Sequence, residues 1–521
     1  MFIRDLVRRL ATVVPDKTAY VDPARAVTWG EVHERSERLA AAFQQLGLSK
    51  GDRSAIVSYE TVDVMEHWIA CAKAGIARTG INWRYAQREM QHILDDVDPA
   101  AVVVSADCIE QFGRDTIDRL IADGRHVIGF GGEHGLPHDL EQLIAGAGEF
   151  AAPELSGSDV LAVSYTSGST GMPKGALLTH EGAAWQLASA PFAGGLQADD
   201  VVLNNLPMPG FPIYLSSYAM SRGATTVLPR LFDPRQTSRL AREHGVTVMI
   251  AVPTMLPAII DASSDQLDAF ERLRAIIMLG SPSTAGILAR ARAAFGCELQ
   301  NWYGSTETNG AICMLRDADR EQHADRDLST SVGRPLLHVD FAILDDDANV
   351  LPRGETGEIA ARGPLVAGYR NNPAETERAL GDGWVRTGDI GLQDDAGFVF
   401  LQDRKSFMII SGGFNVYPAV VETVLSQHDG VHEVAVVGVE HPRWVEAVVA
   451  VVVRAPGSTV TAAELIEFCE PRVGRWEVPK HVEFADALPT AASGKLDKRG
   501  LEQQLAEQAD QMPWAVEPAG R

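Results

Sequence analysis

VLAVSYTSGSTGMPKG, residues 160–175, is the stretch from which the rest of the chain is read. VLAVSY at 160–165 has the apolar, β-branched and aromatic composition of a buried strand. It runs straight into four hydroxyl residues (Thr166, Ser167, Ser169, Thr170), three glycines (Gly168, Gly171, Gly175) and one lysine (Lys174). Glycines permit positive φ and close approach, so successive N–H groups can point into one concavity that the hydroxyls and Lys174 complete as an anion cradle. A triphosphate fits that description. A Gly/Ser cluster standing alone is more often a flexible surface loop, and its place directly after a buried strand favours the cradle. It is not a Walker A loop: GxxxxGK[ST] is absent, and no GxGxxG follows a strand, so P-loop ATPases and dinucleotide oxidoreductases lose their usual signature.

Outward from this loop, short apolar runs alternate with helical patterns: SAIVS at 54–58, a helix from Val62 to Lys73, AVVVS at 101–105, VTVMIAV at 246–252 and AIIMLG at 275–280. That rhythm predicts an α/β architecture with largely parallel, buried strands. From about Gly333 the strands crowd together with Gly and Pro turns, predicting a small antiparallel barrel or meander. After Asp403, strands such as EVAVVGV and AVVAVVVRA alternate with helices in a compact α+β unit. At 521 residues the chain exceeds the ~250–300 residues of one ordinary core. The expected division is a large N-terminal domain, 1–403, and a small C-terminal domain, 404–521. The N-terminus reads as an amphipathic helix through Phe2, Leu6 and Leu10, not as a secretion signal, and the closing DQMPWAVEPAGR as a frayed end.

Composition excludes several classes. The formal net charge of −24 repels a nucleic-acid backbone, so no nucleic-acid partner is expected, and a polyanionic ligand must be met by local N–H groups, lysines or a metal ion. No run approaches the ~18 apolar residues of a membrane span. Five cysteines at wide spacing, with no CxxC, predict neither a disulfide framework nor a zinc site and fit a reducing cytoplasm.

YTSGSTGMPKGALLTH resembles the signature loop of the acyl-adenylate-forming superfamily, which contains acyl-CoA and aryl-CoA ligases, firefly luciferase and the adenylation domains of peptide synthetases. Further markers follow in that family's order over essentially the whole length, and the acyl-CoA ligases are closest in appearance. The resemblance implies that Thr166, Ser167, Gly168, Ser169, Thr170, Gly171 and Lys174 hold ATP. In NWYGSTETNG, residues 301–310, it implies nucleotide contacts by Asn301, Trp302, Tyr303 and Gly304, with Tyr303 bordering adenine, Thr306 at the α-phosphate and Glu307 helping to hold Mg2+. Gly280 and Ser281 would line the other side of the base. Asp389, in WVRTGDIG, would accept from the ribose hydroxyls, and Arg404 would contact the ribose at the edge of a mobile domain. Ser406 stands where the family places its hinge. Lys495, in LPTAASGKLDKRGL, takes the place of the catalytic lysine and stabilises charge developing between carboxylate and α-phosphate, with Thr306 and Lys174 completing the catalytic set. Each marker alone has an ordinary reading, a turn for TGD and a solvated surface lysine for SGK; their order raises them together.

The implied chemistry is attack of a carboxylate on ATP to give acyl-AMP and pyrophosphate, then transfer of the acyl group, first choice coenzyme A. A ligase passing it to an amine is the alternative, a carrier-protein thiol the third, and a catalytically inactive binding module of the same fold the reading from another class. Five residues depart from the family pattern: Gly210 replaces a histidine, Ser406 and Phe407 occupy the hinge, Val420 replaces a glutamate, and Val445 follows Trp444 where a glycine is usual. Val445 would narrow an acceptor tunnel. The acyl pocket is expected near Trp185, residues 206–214 and residues 278–284, with Phe211 and Tyr214 adding aromatic surface for an apolar carboxylic acid.

Overall fold

The structure, a computed structural model, describes residues 2–166, 172–210, 213–281, 283, 285–411, 414–441, 444–490, 496–508 and 512; the side chains of residues 285, 403, 404, 406, 414 and 415 lie outside it. Ser167, Gly168, Ser169, Thr170, Gly171, Phe211, Thr284 and Lys495, the side chains of Arg404 and Ser406, and nearly all of the expected frayed end therefore lie outside the described residues.

Three sheets carry the chain. In the first, His138–Asp139, His126–Phe130, Ala101–Ser105, Arg53–Val57, Ala77–Ile81 and Val160–Thr166 run parallel, and Lys174–Thr179 closes the edge antiparallel to Val160–Thr166. Ala101–Ser105 is buried at every position, as expected where a parallel sheet is covered on both faces. The helix Val62–Ala74 stops where Gly75 takes φ 68°, a left-handed C-terminal cap that turns the chain into the strand Ala77–Ile81.

The second sheet is a continuous path of 13 strands. Its parallel part contains Val201–Asn204, Val248–Ala251, Ala275–Met278 and Glu298–Ser305. From Gly310–Leu315, antiparallel to Glu298–Ser305, it continues antiparallel through Ser331–Pro335, Val399–Arg404, Val385–Gln393, Thr356–Arg362 and Asp340–Leu344. The switch from parallel to antiparallel pairing thus falls at Glu298–Ser305 and Gly310–Leu315, one strand before the change of pattern read at Gly333. Gly333, at φ 86°, sits so tightly on Met314 that a Cβ would lie 1.8 Å from its carbonyl oxygen.

The third sheet joins Phe414–Val416, Ile409–Ser411, Val445–Arg454 and Val431–His441, with His481–Phe484 parallel to Val445–Arg454. Its two faces alternate. Val436, Val448, Ala450 and Val452 pack with Val421 and Leu425 of Pro418–Leu425 and Leu465 of Ala462–Cys469. Val437, Val449 and Val451 pack on the other side with Leu501 and Leu505 of Lys498–Glu507. Lys405, between the second and third sheets, pairs with Asp346 at 2.9 Å and Glu358 at 3.4 Å. Among the described residues no helix is long and apolar enough to cross a membrane.

Candidate active site

Thr166 and Lys174 are register partners on the two strands that flank the glycine-rich loop. The Thr166 hydroxyl donates to Glu307 Oε1 at 3.4 Å, and Tyr369 Oη donates to the same oxygen at 3.1 Å. Residues 166, 307 and 369, far apart in sequence, thereby meet at one carboxylate. Tyr369 arrives because its segment pairs with the edge strand: Arg370 N–H donates to Gly175 O at 2.8 Å and Leu177 N–H to Gly368 O at 2.9 Å. Lys174 Nζ is 3.0 Å from Glu375 Oε1 in the first turn of Pro373–Leu380. Arg378 and Lys174 hold the Glu375 carboxyl down at about 2, so it stays ionised through the physiological range. Neither Tyr369 nor Glu375 was expected from the sequence; Glu375 is placed by the Asn372 side chain, which caps Pro373–Leu380 by accepting from Glu375 N–H.

The strand Glu298–Ser305 sorts its residues by alternation. Asn301 and Tyr303 share one face. Trp302 points to the other, where its Nε1–H donates to Gln300 Oε1 at 2.9 Å and its ring lies 5.6 Å from Tyr218. Alternation thus places the Trp302 side chain in the core, away from the face that Asn301 and Tyr303 share. Tyr303 Oη donates to Asp389 Oδ2 at 2.7 Å, and both residues are buried. Burial first, and the Asp389 carboxylate second, push the phenol well above its usual range, so it remains a neutral donor. Gly304 is required by the hairpin that follows, since a Cβ there would lie 1.9 Å from Gly310 O. Thr306 and Glu307 stand at the apex of that hairpin, closed by Asn309 N–H donating to Thr306 O at 2.9 Å and Thr308 Oγ1–H to Gly310 O at 2.7 Å.

Asn301 pairs in register with Met278, and Gly280, at φ 88°, turns the chain after that strand into Ser281. The Ser281 Oγ and Asn301 Oδ1 are both buried without a protein partner. An unpaired buried polar atom costs ~1–3 kcal/mol. Two of them at the ends of neighbouring strands, beside the Tyr303–Asp389 pair, fit a nucleoside that brings its own donors and acceptors. For Mg2+ the fit is narrower: no cluster of three metal-ligating side chains exists among the described residues. One carboxylate, Glu307, with the oxygens of a bound triphosphate is the arrangement Mg2+ commonly takes.

Of the stretch expected to line an acyl pocket, Leu206, Met208, Ile213 and Tyr214 are buried together in the main core. Trp185 is not with them. It lies half exposed on the outer stripe of His180–Ala193, lining a cavity of about 430 Å³ with Phe192, Met314, Leu336 and Leu337. Helical spacing gives the reason: Gln186 and Ala190 take the inward face, so residues 185, 188 and 192 face out.

Of the departures, Val445 is the most informative. It takes φ 70°, in the left-handed region, and is 64% exposed beside Trp444, whose ring stacks on His441 at 4.8 Å. A β-branched residue there is strained by ~1–3 kcal/mol. Val445→Gly is expected to raise stability by about 1 kcal/mol after glycine's own entropy cost, read as a higher melting temperature; an unchanged or lower one contradicts the strain. Val420 is half-buried on Pro418–Leu425, where Glu422 accepts from Val436 N–H at 2.7 Å and pairs with Lys498 at 2.6 Å. Lys498 also lies 5.7 Å from the Phe407 ring, tying the segment between the sheets to the terminal helix.

The AMP-binding enzyme family matches residues 7–369, and the AMP-binding enzyme C-terminal domain matches residues 420–495. An indoleacetate–CoA ligase of Aromatoleum aromaticum is 34% identical over 511 residues, 97% of this chain and 98% of the relative. The crystal structure of ATP-bound MatB from Rhodopseudomonas palustris superposes with a TM-score of 0.87 at 28% identity, covering 98% of this chain and 100% of that one. Amide bond synthetase McbA from Marinactinospora thermotolerans gives 0.84 at 28% identity, over 96% and 99%. With both regions matched and a relative similar along nearly its full length, the chain belongs to the AMP-binding enzymes, the acyl-adenylate-forming superfamily its motifs resemble.

Proposed function

We propose that the protein is an AMP-forming carboxylate–CoA ligase for an apolar carboxylic acid. The observation that carries this reading is the meeting of Thr166, Glu307 and Tyr369 at one carboxylate, with Lys174 at the base of the same loop. In this reading Lys174, with Thr166 and residues 167–171, binds the phosphates, Thr306 orients the α-phosphate and Glu307 holds Mg2+, which neutralises phosphate charge. Asn301, Gly280 and Ser281 border the base, and Asp389, oriented by Tyr303, takes the ribose with Arg404. Lys495 reaches the attacking carboxylate oxygen. No residue need form a covalent bond, because in-line displacement at phosphorus depends on positioning and charge stabilisation.

The division at 403/404 belongs to the same proposal. Residues 404–521 swing about Ser406 and Phe407 after adenylation, withdrawing Lys495 and admitting the acceptor. Five unpaired cysteines support a reducing, cytoplasmic setting. Similarity to an indoleacetate–CoA ligase supports coenzyme A and an apolar, cyclic acid. Similarity to an amide bond synthetase, together with the Val445 side chain, favours transfer to an amine as the second reading.

The test is an acid panel with Mg·ATP and either CoA or amines, following pyrophosphate release and product mass. Acid-dependent pyrophosphate and a thioester are expected. An amide with no thioester moves the protein to the second reading, and no acid-dependent pyrophosphate with any acid leaves only an inactive binding module.

A further inference from the structure

Two buried ionisable residues outside the nucleotide motifs grip the segment that the sequence reading assigns to the acyl pocket. Glu60 follows the strand Arg53–Val57, and Arg78 lies within Ala77–Ile81; they are 5% and 2% exposed. Glu60 Oε2 accepts from Met208 N–H at 2.8 Å. Arg78 Nη2–H donates to Met208 O and Nη1–H to Pro209 O, both at 3.2 Å. Both peptide groups of Met208 and the carbonyl of Pro209 are thus held by side chains from the first sheet, while the segment itself grows out of the second. The backbone beneath allows no slack, because a Cβ on Gly80 would lie 2.0 Å from Pro209 O.

Arg78 also reaches the far end of the same segment. Its guanidinium lies 6.0 Å from the Trp68 ring, which meets Tyr214 edge-on at 5.6 Å and donates from Nε1 to Ser217 Oγ at 3.1 Å. Residues 206–210 and the start of Ile213–Arg222 are therefore braced from one place. The void among Ile56, Ser58, Glu60, Val64, Arg78, Ile81, Met208 and Pro209 is only about 10 Å³, too small for any substrate, so the cluster supports a wall and is not itself a pocket. Burial raises the Glu60 carboxyl to about 8 and lowers Arg78 to about 10, so both groups carry a desolvation cost that apolar residues of similar size would avoid. What they supply in return is direction: hydrogen bonds aimed at three backbone atoms of one short segment.

We propose that Glu60 and Arg78 are positioning residues for the carboxylic-acid substrate, holding residues 208–210 in the conformation that shapes the acyl wall and so setting affinity for the acid but not for ATP. The proposal rests on the ligase reading above. Gly210, which adds no side chain to hold the wall in place, makes that segment dependent on outside bracing.

The test compares Glu60→Ala, Glu60→Gln, Arg78→Met and Arg78→Lys by acid-dependent pyrophosphate release and thermal melting. Glu60→Ala and Arg78→Met are expected to raise KM for the preferred acid about tenfold or more with KM for ATP within about twofold, the signature of a misplaced binding wall. Glu60→Gln keeps an acceptor for Met208 N–H and is expected to restore most of the loss. Arg78→Lys, which can reach only one carbonyl, is expected to fall between. If the two truncations do not fold, the milder pair decides: an unchanged KM for the acid in Arg78→Lys overturns the proposal. Parallel rises in both KM values, or Glu60→Gln no better than Glu60→Ala, also overturn it. If the parent protein releases no pyrophosphate with any acid, the ligase reading itself fails and this inference falls with it.

Discussion

Asp389→Ala is expected to lower kcat/KM for ATP by about 100-fold, because two buried interactions are lost at once. The carboxylate is the acceptor for the proposed ribose hydroxyls, and a hydrogen bond to a charged group is worth ~1.5–3 kcal/mol, so losing it approaches the 2.7 kcal/mol of a 100-fold change. The same carboxylate accepts from Tyr303 Oη at 2.7 Å. Since burial keeps that phenol neutral, its removal leaves a buried donor unsatisfied at ~1–3 kcal/mol. The melting temperature should therefore fall as well. Asp389→Asn separates the two effects: an amide oxygen still accepts from Tyr303, so stability should be largely retained while ATP use stays impaired. Pyrophosphate exchange against ATP concentration, paired with melting curves, is the measurement; ATP saturation unchanged in Asp389→Ala would remove Asp389 from the nucleotide site.

Lys495→Ala should have the other large effect, a fall of about 10²–10³ in the rate of adenylation, the usual loss when one preorganised charge-stabilising donor is removed. The described residues that bracket 491–495 are held in place. Thr490 and Leu496 bridge antiparallel, Asp497 N–H donates to Pro489 O at 2.9 Å, and Asp497 caps Lys498–Glu507 by accepting from Gly500 N–H. Lys498 then pairs with Glu422. With those contacts untouched, Lys495→Ala is expected to change the melting temperature little. Transfer from a supplied acyl-adenylate to the acceptor should also survive, since that step does not use the lysine. A variant that adenylates normally, or that loses both half-reactions equally, would contradict the assigned role.

Much of the candidate site is legible in the sequence because its parts are local. A strand followed by hydroxyls, glycines and a lysine declares itself within 16 residues, and alternation along NWYG separates inward from outward positions once the strand is recognised. The motif groups Trp302 with Tyr303, and the strand geometry sends its side chain to the opposite face. Trp185 failed for a similar reason: an apolar residue near a pocket-forming region says nothing of which stripe of its helix faces in.

Sequence alone determined the α/β class, the order of the nucleotide motifs and the residue types able to meet a triphosphate, because these follow from short-range backbone preference and side-chain chemistry. Tertiary structure alone decided that Tyr303 donates to Asp389, that Lys174 meets Glu375, that Val445 occupies a glycine's backbone conformation, and that Glu60 and Arg78 reach across two sheets to residues 208–209. Such contacts join residues tens to hundreds of positions apart. Their partners are fixed by strand order and register across a sheet, and local propensity carries no record of either.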